Sequence, residues 1–155
     1  LCVGVCPNLA LLTYETEPAD SPELPQQRFQ VAVLADLCNE CGNCTTFCPT
    51  AGAPYRDKPR LYLDRSEFEA EADNAFMIRR TRDGWAMDAR LGGNTHHIEV
   101  DDELDYTAGD PPDSPAGATL YALLTALRRS VPQLPPARSG EAVTEGWVSH
   151  PGYRD

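Results

Sequence analysis

No run of about eighteen apolar residues occurs in the sequence, so it offers no transmembrane helix and no membrane insertion is expected. Basic residues are scarce: thirteen Lys and Arg stand against 24 Asp and Glu, for a net charge of −11. A duplex-binding surface needs a cationic stripe to release counterions from phosphate, so no nucleic-acid partner is expected. The excess acid can steer docking onto a basic partner, although its plainer role is solubility. No Gly-rich dinucleotide fingerprint, nucleotide loop or hydrolase triad can be read, and no catalytic residue is assigned. Neither a charged n-region nor an initiator Met precedes Leu1-Cys2, so the chain reads as a fragment or a processed product without a secretory leader.

Cysteine is absent after position 48, and all six cysteines fall at 2, 6, 38, 41, 44 and 48. Four of them spell C-x-x-C-x-x-C-x-x-x-C-P as Cys38-Asn-Glu-Cys41-Gly-Asn-Cys44-Thr-Thr-Phe-Cys48-Pro49, the bacterial [4Fe-4S] spacing. Two-residue gaps let a tight loop aim three thiolates at three irons, and Gly42 lets backbone N–H groups approach the cluster sulfides. In this spacing the fourth cysteine ligates the other cluster of a pair. The set Cys38, Cys41 and Cys44 therefore needs a ligand from elsewhere. Cys2-Val-Gly-Val-Cys6-Pro7 repeats the C-x-x-x-C-P tail, which makes Cys6 the expected fourth ligand of a complete iron site. Cys2 and Cys48 are then two ligands of a second cluster, whose missing pair is expected three and six residues before Cys2.

Structural zinc takes four thiolates, but usually as two C-x-x-C knuckles separated by a long loop. A disulfide scaffold needs an oxidising compartment, for which nothing secretory speaks. A thioredoxin-type redox pair needs two cysteines rather than a tetrad.

Strands are expected at 9–15 and 29–35, the second alternating so that it buries mostly one face, with a Pro-rich loop over 16–28 between them. A helical turn is expected at Thr45-Thr46-Phe47. Beyond Pro59, Leu61–Leu63 reads as a strand, followed by a short helix with Ser66 as N-cap and Glu69 as its capping-box partner. Phe76–Arg82 and Trp85–Leu91 flank Asp83-Gly84, a hairpin signal, and Thr95–Val100 adds a third strand. Adjacent His96 and His97 point to opposite faces of that strand, so one ion is not expected to take both. Asp101-Asp102-Glu103 reads as a solvated loop, and Trp85 and Trp147 as packing residues. Residues 107–116 read as a linker. Ser114 then caps a helix with Pro115 at its first position, and Leu120, Leu123, Leu124 and Leu127 form one apolar stripe. The chain from 132 onward is expected to be polar and poorly ordered.

The fold expectation is α+β: a ferredoxin-like iron–sulfur domain of the two-cluster bacterial type, N-terminally truncated, followed by a small antiparallel β-meander and one amphipathic helix. The expected divisions are 1–58 for the [4Fe-4S] domain and 59–106 for the meander. Residues 107–155 are the linker, a helix at about 115–130 and the tail.

The segments Cys2-Val-Gly-Val-Cys6-Pro7-Asn8, Cys38 to Pro49 and Gly52-Ala-Pro-Tyr-Arg-Asp-Lys-Pro59 resemble the C-terminal part of the YgfK-type selenate reductase subunits. The resemblance covers roughly residues 1–105. Such proteins are similar to the flavin- and iron–sulfur-containing partners of glutamate synthase and dihydropyrimidine dehydrogenase. The resemblance implies a larger cytoplasmic oxidoreductase using FAD and NAD(P)H, with this chain as an electron-transfer end facing a flavin domain or redox partner subunit. The flavin and nicotinamide sites are assigned to no residue here. The expected function is single-electron relay through a [4Fe-4S] cluster. The alternative is a subunit-docking module whose cluster, or zinc, is structural.

Overall fold

The computed structural model describes residues 3–16 and 28–138. The strands are β1 (Leu11–Glu15), β2 (Phe29–Leu34), β3 (Arg60–Leu61), β4 (Ala75–Arg80), β5 (Gly84–Leu91), β6 (Asn94–Asp101) and β7 (Tyr106–Gly109). The helices are α1 (Asn43–Thr46), α2 (Pro54–Asp57), α3 (Arg65–Ala70) and α4 (Pro115–Ser130).

All seven strands form one sheet in the order β1-β2-β3-β4-β5-β6-β7. β2–β3 and β3–β4 are parallel and the other neighbours antiparallel. This overturns the expected fold class. A ferredoxin-like α+β unit with an appended meander is replaced by a single mixed, mostly β sheet with few helices. The reason is β3. Its two residues pair with β2 at Val33↔Arg60 and with β4 at Arg60↔Ala75, joining β1 and β2, which adjoin the cysteine segments, to the later strands. Parallel neighbours require a crossover of a dozen residues or more, and the β2–β3 crossover is residues 35–59, which carry the cysteine run.

Side chains alternate across the sheet, as the two-residue period requires. Ala32, Phe76, Ile78, Met87, Ala89, Ile98 and Val100 face α4 and its stripe Leu120, Leu123, Leu124 and Leu127. On the opposite face Ala75 and Met77 pack with Phe68 of α3, and Leu11 and Val33 pack with Cys44. β2 is thus covered on both sides, with Ala32 and Val33 fully buried, rather than mostly on one. The two faces put the cysteine loop and α4 on opposite sides of the sheet.

α4 begins at Ser114, whose hydroxyl accepts the Gly117 N–H at 3.1 Å, with Pro115 at the first turn. Its sixteen residues span about 24 Å, matching five strand spacings of about 4.8 Å, so one helix reaches from β6 to β1. Tyr121 donates to the Leu104 carbonyl at one end, and Ser130 accepts the Glu15 N–H at the other. α3 is capped by Asp64, which accepts from the N–H groups of Ser66 and Glu67, and not by Ser66 as expected. β7 occupies the start of the expected linker. The segment after Pro132 is held in part: Ala137 and Arg138 donate their N–H groups to Ile78 and Leu63 carbonyls, and Leu134 is buried. Trp147 and the expected polar tail beyond 138, like the Pro-rich stretch 17–27, lie outside the described residues.

Candidate functional site: a cavity lined by cysteines

The β2–β3 crossover leaves the sheet through a 3-10 turn, Ala35–Leu37, and reaches Cys38 with its N–H donated to the Ala35 carbonyl. Glu40 and Gly42 then take positive φ, 55° and 78°, and reverse the chain tightly enough for α1 to start at once. α1 buries Cys44, and Pro54 starts α2, whose next residue is Tyr55. From the other segment, a 3-10 turn at Val3–Val5 delivers Cys6, whose Sγ accepts the Ala10 N–H at 3.3 Å. Asn8 ties the two segments by donating its side-chain amide to the Leu37 carbonyl at 3.0 Å.

The result is one cavity lined by Cys6, Cys38, Cys41 and Cys44 together with Ala10, Leu11, Asn39, Gly42, Asn43 and Tyr55. None of these cysteines is in a disulfide. Cys44 is buried, Cys6 and Cys38 are half-buried and Cys41 is exposed. The cavity is narrow, about 10 Å³, and no group of three or more His, Cys, Asp or Glu among the described residues is arranged to hold a metal ion. The donor chemistry nonetheless suits a cluster: four thiols, walls free of charged side chains and a backbone N–H already directed at one sulfur. A wider depression of about 650 Å³ between β1 and α4 is lined by Glu15, Thr16, Tyr121, Ala122, Thr125, Ala126, Arg129 and Ser130 and contains no thiol.

Cys48 does not line this cavity. Its Sγ lies 3.3 Å from the Thr50 hydroxyl. Hydrogen bonds from that hydroxyl and from the Thr50 and Gly52 N–H groups hold its thiol below the ordinary cysteine value, with Lys58 assisting and desolvation opposing. Cys2 lies outside the described residues. The expected second pair is therefore not brought together among them.

The other residues considered have structural occupations. His97 Nδ1 meets Asp88 at 2.6 Å and Nε2 meets Glu99 at 3.0 Å, while His96 approaches Asp110 at 3.4 Å. Asp101 accepts the N–H groups of Glu103 and Asp105 in the β6–β7 turn, and Asp102 pairs with Arg80. The guanidinium groups of Arg80 and Arg128 lie over the Trp85 ring, at 5.0 and 3.6 Å from its centre. Tyr55, Ala10 and Leu11 were not singled out from sequence as cavity residues. The Pro54 helix start is the one signal that could have placed Tyr55.

The chain is 33% identical over 110 residues to the protein described as "Putative oxidoreductase YgfK" in Escherichia coli O157:H7, covering 71% of this chain and 10% of that protein. The protein of the same description in Escherichia coli strain K12 is 32% identical over the same length and shares. The chain thus spans about a tenth of the length of these curated relatives. Their description names no substrate. No family model matches the chain, and no solved structure matches it. Among the described residues no helix is long and apolar enough to cross a membrane.

Proposed function

We propose that this chain is an iron–sulfur electron-transfer module of a larger cytoplasmic oxidoreductase that uses FAD and NAD(P)H, with a [4Fe-4S] cluster on Cys6, Cys38, Cys41 and Cys44. The observation that supports this reading is the convergence of four thiols, from two segments far apart in sequence, on one cavity. The similarity to proteins described as oxidoreductases agrees with it. When bound, such a cluster supplies one-electron redox chemistry.

The chain's own residues would contribute binding, hydrogen bonding and exclusion of water. The four thiolates bind. The Ala10 N–H at Cys6 Sγ favours the more negative state at that sulfur, as donors to cluster sulfurs do. Leu11, Val33 and Tyr55 keep water from the inner side of the site. Cys41, on the exposed side, marks the edge at which a flavin domain or partner subunit exchanges electrons. Cys48, with Cys2, belongs in this reading to a second cluster whose other ligands lie upstream.

The narrow cavity favours a second reading: a single structural zinc on the same thiolates of a subunit-docking module. Anaerobic purification followed by metal and sulfide analysis separates the two. About four iron and four sulfide per chain, reducible between about −700 and +450 mV, is the expected result. One zinc and no sulfide would establish the second reading instead.

A further inference from the structure

We infer that the mouth of the cysteine cavity, with the acid-lined groove beside it, is the docking face for a redox partner presenting basic side chains around an apolar centre. The inference rests on the electron-transfer reading and adds the chemistry of the partner. Three of the large hydrophobic side chains exposed among the described residues flank the cysteines: Leu9 at 76%, Leu37 at 46% and Phe47 at 55%. Leu9 follows the Cys6-Pro7 turn with φ of 54°, Leu37 precedes Cys38 and Phe47 precedes Cys48. Asn8, bonded to the Leu37 carbonyl, fixes the Leu9 turn against Leu37. Exposed apolar side chains beside the cysteine segments are not stabilised by burial in this fold, and exposed apolar patches mark contact sites.

Charge selects the occupant. A groove of about 570 Å³ adjoins the cysteine loop and is lined by Asp36, Glu40, Asp64, Glu67 and Glu71 around Arg60. Glu40 lines the groove and stands in sequence between Asn39 and Cys41, both of which line the cavity. Arg60 donates to Glu40 and to the Tyr55 carbonyl, and Arg138 lies near Asp64, so the five carboxylates outnumber these two cations. A lysine- or arginine-ringed protein face complements this arrangement, whereas an anionic lipid surface is repelled by it.

The test titrates the full 155-residue chain, as isolated, with zinc-substituted cytochrome c, a diamagnetic protein whose haem edge is ringed by lysines. Backbone amide shifts are followed at low salt. The expected shifts fall at residues 8–9, 36–41, 47 and 64–71. Glu40→Gln/Glu67→Gln/Glu71→Gln weakens binding by about tenfold, since clustered charge governs such encounters. Leu37→Ser/Phe47→Ser weakens it at any salt concentration. A remote triple of equal charge change, Glu103→Gln/Asp105→Asn/Asp113→Asn, changes it by less than about twofold, because these positions lie in the β6–β7 turn and the loop before α4, towards the opposite end of the strand order. Equal weakening by both triples, or shifts scattered over the sheet, overturns the inference. Iron analysis of the same samples keeps the two claims apart. Absence of iron with a mapped face removes the electron-transfer reading alone, and iron without a mapped face removes the docking face alone.

Discussion

Leu124→Ala tests whether β1 and β2, which adjoin the cysteine segments, and the later strands stand or fall together. Leu124 is fully buried at mid-helix in α4, against the side chains of the sheet face that β1 to β6 share. Truncation removes about three carbon groups worth about 0.8 kcal/mol each and leaves a cavity, so the cost is about 3 kcal/mol. For a chain of this size that lowers Tm by roughly 6–12 °C. The exposed Thr119→Ala in the same helix shifts it by a degree or two at most, fixing the baseline. The decisive assay is hydrogen exchange read by mass spectrometry, comparing peptides that cover 10–16 and 29–35 with peptides that cover 75–100. Because α4 contacts β1 as well as β5 and β6, protection is lost in both sets by similar free energies. Loosening confined to 75–100, with 10–16 and 29–35 unchanged, would refute the reasoning that one helix and one sheet form a single cooperative unit.

Gly117→Ala places a Cβ 2.0 Å from the Pro111 carbonyl oxygen, a backbone contact that cannot yield easily. Urea unfolding should show a loss of about 2 kcal/mol or more even though alanine is the better helix former. Burial opposes ionisation of Asp88, but hydrogen bonds from Arg79 and His97 outweigh it and hold the carboxyl below its usual range. The stability this contributes is present above the unfolded value near 4 and is lost as pH falls through the lower folded value. Arg79→Leu should cost about 1–3 kcal/mol at neutral pH and much less in strong acid, measured by unfolding at several pH values. Burial pushes the Tyr62 phenol up to about 12, with Glu71 reinforcing the shift and Arg60 opposing it. Its contribution holds below pH 10 and is lost between 10 and about 12, so Tyr62→Phe should remove the latest-ionising phenol from an absorbance titration at about 295 nm.

Local pattern carried a large part of this structure. Asp83-Gly84 marks the turn between β4 and β5, and Gly84 is required there because a Cβ would meet the Val100 carbonyl at 2.0 Å. Ser114, Pro115 and the leucine spacing delimit α4 almost to the residue, since cap, first turn and stripe are all local chemistry. The C-x-x-x-C-P repeat linked Cys6 to the later run, and Cys6, Cys38, Cys41 and Cys44 line one cavity while Cys48 does not. What local pattern could not carry was the arrangement of strands. β3 is two residues long and its parallel partners come from distant segments, so nothing near Arg60 announces that it unites the sheet. The same holds for Asp64: Ser66 fits a capping box equally well in sequence, and the direction in which the chain leaves β3 decides between them. β7 resembles a linker because all four of its residues are exposed, leaving no buried face to betray a strand. His97 reads in sequence only as one of two adjacent histidines, until the β5–β6 register sets it opposite Asp88.

The most direct test of the cysteine site compares Cys6→Ser with Cys48→Ser in anaerobically prepared protein, by iron content and by electron paramagnetic resonance after dithionite reduction. Cys6 lines the cavity and Cys48 does not. The account predicts that Cys6→Ser loses iron or alters the reduced signal, while Cys48→Ser keeps about four iron per chain and an unchanged signal. Retention of the full iron and signal by Cys6→Ser, with their loss in Cys48→Ser, would contradict it.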